Sequence, residues 1–160
     1  MSDTAVSTDL SGAKPLVPVF ATIQNAFRPV ADVGVRVATG LFLVPHGAQK
    51  LFGWFGGYGP EATGQFFATK LGLPASFAVL AGVIEFFGGL ALALGLLTRP
   101  AAALVTGLMA VAIVSVHLPN GFFAMNGGYE YPLLWGILAL SYVVKGGGRY
   151  SLDAKIGREI

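Results

Sequence analysis

Residues 75–97 make an apolar run broken by one charge, Glu85. About 20 consecutive apolar residues are what a helix needs to cross the hydrocarbon core of a bilayer, so this run places at least one helix of the chain in lipid. The rest of the sequence agrees with that solvent. Of its 160 residues 54% are hydrophobic and only 11% charged, a balance outside that of a soluble domain. Many of the 23 glycines lie inside apolar runs, where small residues let membrane helices approach closely.

Three further segments read as spans, at about residues 30–52, 100–118 and 131–144. Pro100 stands at the first helical position of the third, after a tight turn at Thr98 and Arg99. The expected fold is an all-α membrane protein, a four-transmembrane-helix bundle over residues 30–145. Residues 1–29 read as an N-terminal tail, disordered to about residue 14, then a short interfacial helix that ends at Arg28 and Pro29. Residues 146–160 read as a C-terminal tail. The N-terminus lacks the basic region, apolar core and cleavage site of a secretory signal.

The cations orient this layout. Lys14, Arg28, Arg36, Arg99, Lys145, Arg149, Lys155 and Arg158 fall on one side, against Lys50 and Lys70 on the other. The positive-inside rule makes the first side cytoplasmic, with both termini there, and the expected location is a bacterial cytoplasmic membrane. Two outer loops follow, at about residues 53–74 and 119–130, and they hold most of the aromatic side chains. In the longer one, Phe66, Phe67, Lys70 and Leu71 have helical spacing, as a short surface helix lying over what is beneath would have.

The first and third spans each end in a histidine followed at equal offsets by the same residues. His46, Phe52, Gly56, Gly57 and Tyr58 match His117, Phe123, Gly127, Gly128 and Tyr129. A repeat of this kind would make the fold two parallel repeated hairpins about an axis along the membrane normal.

Several functions are excluded by composition. The net charge of +2 is not gathered into a basic patch interleaved with aromatics, so nucleic acid is not an expected partner. Without cysteine the chain carries no disulfide, thiolate metal site or thiol relay of its own. There is no HExxH, CxxC, Walker loop or nucleophile elbow, and no metal site is expected. Two histidines could ligate one haem, but nothing in their spacing favours it.

What remains are polar residues in apolar helices. Glu85 lies about ten residues into its span, about 15 Å deep at 1.5 Å per residue, and intramembrane carboxylates commonly face a bundle interior and mark function. Burial in low dielectric favours its neutral, proton-donating form. Gly82, Gly88 and Gly89 share its face and would let a helix or ligand come close. His46, Gln49 and Lys50 share one face of the first span, with Lys50 able to snorkel to water. His117 and Asn120 stand at the same level on the third. Asp32 and Arg36 read as a surface pair at i and i+4, Arg99 as a topology determinant, and Glu130 as an acid at a helix N-terminus.

The segments HGAQKLFGWFGG, GVIEFFGGLALALGLLTRPAA, VHLPNGFF and GGYEYPLL closely resemble the DoxX family of bacterial integral membrane proteins, over about residues 30–155. The resemblance implies four spans in the cytoplasmic membrane and kinship to DoxD-type subunits of quinone-linked oxidoreductases, including thiosulfate:quinone oxidoreductase and a terminal quinol oxidase. By family pattern it carries over His46, Lys50, Glu85 and His117.

A quinone needs an apolar slot, a donor at each carbonyl and a proton route. Trp54, Phe55 and Tyr58 could wall that slot, with His46 or His117 as donor, Glu85 as proton relay, and Gln49, Lys50 and Asn120 as further ligand contacts. The expected function is thus a quinone-interacting subunit of a membrane oxidoreductase complex, with no covalently bound cofactor, whose electrons come from a partner redox protein. The alternative is a non-catalytic scaffold or anchor for a soluble redox or detoxification enzyme. A channel is disfavoured, since the second span offers no polar residue between Glu85 and Thr98.

Overall fold

The computed structural model describes residues 16–158. The expected disorder of residues 1–14 lies outside them. The described residues include no strand and are 80% helical, as an all-α reading requires. In chain order the helices are α1 (Pro18–Leu41), α2 (Val44–Phe52), α3 (Gly59–Lys70), α4 (Ser76–Leu94), α5 (Thr98–Asn120), α6 (Glu130–Lys145) and α7 (Leu152–Ile156). α4 and α5 are long and apolar enough to cross a membrane, with mean hydropathies of 2.2 and 2.1. Only 39% and 22% of them is buried within the protein, so most of their apolar surface faces outward, as in lipid.

The segment expected as one span over residues 30–52 is two helices. Pro45 has no N–H to offer the helix before it, and it stands in the first turn of a new one, α2. The indole Nε1 of Trp135, on α6, donates to the carbonyl of Thr39 in the last turn of α1 at 3.1 Å. Upstream, the separate interfacial helix expected before Pro29 is instead the first part of α1. A proline inside a helix removes one hydrogen bond, and here α1 continues through Pro29.

α1 runs along the second half of α4, α2 along its first half, and α5 packs most extensively on α6. The interior is built from Leu43, Val105, Met109 and Ala139 and, nearer the other end, Leu92, Ala101, Ala102 and Tyr142. Glycine sets the closeness of α1 and α2 to α4. A Cβ on Gly40 would fall 2.3 Å from the Gly89 carbonyl oxygen, and one on Gly47 would fall 2.4 Å from the Phe86 nitrogen. Gly82 and Gly89 face these contacts from α4, in keeping with the glycine face read from the sequence.

Residues 146–158 are more than a tail. Arg36 is not half of a surface pair with Asp32; it is 2% exposed and its guanidinium donates to the carbonyls of Leu92 (2.9 Å), Ala93 (2.6 Å) and Tyr150 (2.9 Å). It caps the carbonyl end of α4, where helix-end oxygens lack partners and the dipole favours a cation. Asp32 pairs instead with Lys145 at 3.1 Å, a contact open to solvent and worth little. Asp153, at the start of α7, accepts from Leu97 N (2.7 Å), Thr98 N (2.9 Å) and Thr98 Oγ1 (2.7 Å). These bonds hold Leu97 at its positive φ of 46° and close the turn between α4 and α5.

The two matching segments share some backbone: Gly56 and Gly127 both have φ +75°, and Tyr58 and Tyr129 each precede a helix. Their histidines differ in surroundings, His46 being exposed on α2 and His117 half-buried at a cavity.

Two predictions follow from this packing. Gly47→Val drives a side chain into the α4 backbone and lowers unfolding stability in detergent by at least about 3 kcal/mol, whereas Gly34→Ala, with nothing within 4 Å of its Cβ, leaves it unchanged or higher. Burial pushes the Asp153 carboxyl up, but the hydroxyl and amide of Thr98, the amide of Leu97 and the Arg36 charge together hold it below the usual carboxylate range. A depressed native value stabilises the fold above the unfolded value of about 4 and is lost as the pH falls through the native one. The thermal midpoint therefore drops on acidification below about pH 4, and Asp153→Asn lowers it at neutral pH and flattens that drop.

Candidate functional site

Glu85 is 8% exposed on α4, in apolar surroundings where a lone carboxylate would be costly. It is not alone. Lys50 reaches across from α2, and its Nζ lies 2.6 Å from Glu85 Oε2. Lys50, able by its length to snorkel to water, turns to Glu85 instead. Gly47 and Gly82 bring α2 so close that the stem of Lys50 lies against Gly82. From there the nearest relief for the ammonium is the carboxylate.

The pair sits in the wall of a cavity of about 690 Å³. Gln49 and Lys50 line it from α2, Ala81 and Glu85 from α4, and Leu108, Val111, Ser115 and His117 from α5. α3 covers it with Ala62, Thr63, Phe66 and Phe67, so the short helix read from the outer loop is part of the site. Tyr58 stands at the rim, 84% exposed.

Glu85 and His117 share an unusual backbone. Each lies in a single π-helical turn, Ile84–Gly88 in α4 and Ile113–His117 in α5. A π turn spends an extra residue per turn, which rotates the side chains that follow, and such turns inside α-helices recur at functional sites. Here both open onto the same cavity. Nothing in the local residue types announces either turn.

Of the residues singled out by sequence, Glu85, Lys50, Gln49, Tyr58 and His117 come together at this cavity, while His46, Trp54, Phe55 and Asn120 do not line it. His46 is exposed on α2. Trp54 stacks on Phe52 with centroids 4.9 Å apart, and Phe52 packs on Phe86 at 5.3 Å, outside the cavity. Phe55 is 69% exposed. The aromatic walls are Phe66 and Phe67 instead, which were legible as one helical face but not as ligand contacts. Asn120 stands behind His117: its Nδ2 donates to the Gly127 carbonyl at 3.2 Å, and His117 Nδ1 lies 2.7 Å from the same oxygen. Glu130 closes the loop by accepting from Ala124 N at 2.9 Å.

A helical protein whose long apolar helices face outward has the surface of a membrane protein. The chain belongs to the DoxX family, whose profile matches residues 31–118. It is 32% identical over 155 residues to an uncharacterized membrane protein of Mycobacterium tuberculosis, covering 88% of this chain and 90% of that protein. It is 34% identical over 136 residues to an uncharacterized protein of Haemophilus influenzae, covering 81% and 92%. A Bacillus subtilis protein named "Putative oxidoreductase CatD" is 35% identical over 111 residues, covering 69% of this chain and 77% of its own. No solved structure matches the chain.

Removing one partner of the pair leaves the other charge buried. Glu85→Gln or Lys50→Met lowers stability by about 3 kcal/mol, the low end for such a pair because Lys50 is a quarter exposed. The double variant recovers most of that loss in a thermodynamic cycle; additive losses would mean the two side chains do not interact.

Proposed function

We propose that the protein spans the cytoplasmic membrane four times and binds a quinone ring in the cavity between α2, α3, α4 and α5, as the quinone-interacting subunit of a membrane oxidoreductase complex. The spans are α1 with α2, α4, α5 and α6. Orientation follows the cations: with Arg36 taken into the helix packing and Lys50 into the cavity, the remaining cations are seven residues on one side, Lys14, Arg28, Arg99, Lys145, Arg149, Lys155 and Arg158, against Lys70 on the other. Both termini are then cytoplasmic and the cavity lies toward the outer face.

The observation that carries the reading is the pairing of an apolar, aromatic-roofed cavity with Lys50, Glu85 and His117 on its wall. Its volume lies within the roughly 300–1,000 Å³ of small-molecule sites. A quinone carbonyl accepts hydrogen bonds and an ammonium with donors to spare supplies them, since only one of the three Lys50 hydrogens is spent on Glu85. Glu85 can return a proton through Lys50 when the ring gains or loses one. Two electrons must be exchanged with the ring, and a partner redox protein is assigned that role. The oxidoreductase in the name of the Bacillus subtilis relative is in keeping with this.

The competing reading makes the ion pair a clasp that holds α2 to α4 in a scaffold for a soluble enzyme. Binding of a short-chain ubiquinone or menaquinone analogue to the purified, lipid-supplemented protein separates the two. We expect saturable binding that Glu85→Gln weakens at least tenfold while the protein remains folded, and that His46→Ala leaves intact. No binding to folded wild type refutes the quinone reading in favour of the clasp.

A further inference from the structure

The two ring nitrogens of His117 have different surroundings. Nδ1 lies 2.7 Å from the carbonyl oxygen of Gly127. A carbonyl only accepts, so Nδ1 must carry the hydrogen, and in the neutral imidazole Nε2 is then the bare, accepting nitrogen. Because the ring lines the cavity, Nε2 is the atom of His117 left to meet a ligand.

The carbonyl that selects this tautomer is held in place. It also accepts from Asn120 Nδ2 at 3.2 Å. Its loop is closed by Tyr129 N donating to Gly121 O at 3.0 Å and Glu130 N to Phe122 O at 2.9 Å. Ala124 N adds a bond to the Glu130 carboxylate at 2.9 Å. At Gly128 a Cβ would fall 2.3 Å from the Gly121 oxygen, so the loop halves touch backbone to backbone. Turning the Gly127 carbonyl away would break the bonds to Asn120 and His117 and the one that Gly128 N, on the same peptide, donates to Phe123 O at 3.0 Å, and the imidazole cannot swap tautomers without losing its bond.

The cavity wall thus offers a donor at Lys50 and an acceptor at His117. A dicarbonyl ring has only acceptors, and one brought to Nε2 would set two lone pairs against each other. A dihydroxy ring has both: a hydroxyl hydrogen for Nε2 and oxygens for the Lys50 ammonium. We infer that the cavity prefers the reduced, dihydroxy form of its ring ligand over the oxidised form, through a hydrogen bond from a ligand hydroxyl to Nε2 of His117. This rests on the quinone reading of the cavity and adds to it which redox form is held.

Dissociation constants for the reduced and oxidised forms of one short-chain ubiquinone analogue, measured on the full chain in lipid-supplemented detergent without oxygen, test it. The reduced form binds roughly tenfold tighter, about what one satisfied hydrogen bond against a mispaired one is worth. In His117→Gln, whose amide turns to donate or accept, both forms bind and the preference falls to near unity. Equal binding of the two forms to wild type, or tighter binding of the oxidised one, overturns the inference and leaves the quinone reading standing; no binding of either form to folded protein takes both down. Nitrogen-15 spectra of histidine-labelled protein give a check that needs no variant of His117. The chain has two histidines, and His46→Ala assigns them. An unprotonated Nε2 on His117 that shifts with the reduced analogue is expected, and a protonated Nε2 in the neutral ring overturns the inference.

Discussion

Two helices can touch along their backbones only where neither carries a side chain. α2 meets α4 at Gly47 and Gly82, and α1 meets it at Gly40 and Gly89. That closeness has a chemical consequence. It brings the Lys50 stem against α4 within reach of Glu85, so that a carboxylate in an apolar wall finds a counter-charge at 2.6 Å. With larger residues at these four positions the helices would stand apart, the pair would be out of reach, and Glu85 would be the most costly group in the protein. The cavity exists beside this contact because α3 arches over the other flank of the pair instead of filling it.

The two ends of the helix packing are built in opposite ways. At the end read as cytoplasmic, charged groups are engaged with helix ends: Arg36 donates to the Leu92 and Ala93 carbonyls of α4, and Asp153 accepts from the amides of Leu97 and Thr98 at the start of α5. That end is a closed joint, tied off by a C-terminal segment that returns to it. At the other end Lys50, Glu85 and His117 each keep capacity for a further hydrogen bond in the wall of a cavity. Satisfied networks rigidify and unsatisfied ones bind. A rigid joint below and an open polar wall above is the arrangement a ligand site needs.

The apolar runs made α4 and α5 legible in the sequence, because length and hydropathy suffice for them. The α1–α2 break was harder to read, since Pro45 follows directly on the apolar run VATGLFLV and only the contact of Trp135 with Thr39 shows how the helix end is used. Glu85, Lys50 and His117 stood out because ionisable residues in apolar helices are rare. Their environments did not. Lys50 read as a snorkelling cation because the glycine contact that turns it inward joins residues far apart in sequence. His46 does not line the cavity because the face of α2 that meets α4 is centred on Gly47 and Leu51, and His46 lies about 100° around the helix from Gly47. Arg36 was given the local partner that an i+4 rule offers, while its actual partners lie 56, 57 and 114 residues away. The π turns carried no local signal at all.

The central claim is that the space roofed by Phe66 and Phe67 and walled by Lys50, Glu85 and His117 holds a quinone ring. Photolabelling of the membrane-embedded protein with an azidoquinone, followed by mapping of the modified peptides, locates the ring directly. The account predicts labels on α3 and on the last turns of α5, competed away by unlabelled quinone. Labels confined to the exposed Trp54 and Phe55, or spread over the outward faces of α4 and α5 and insensitive to competitor, would contradict it.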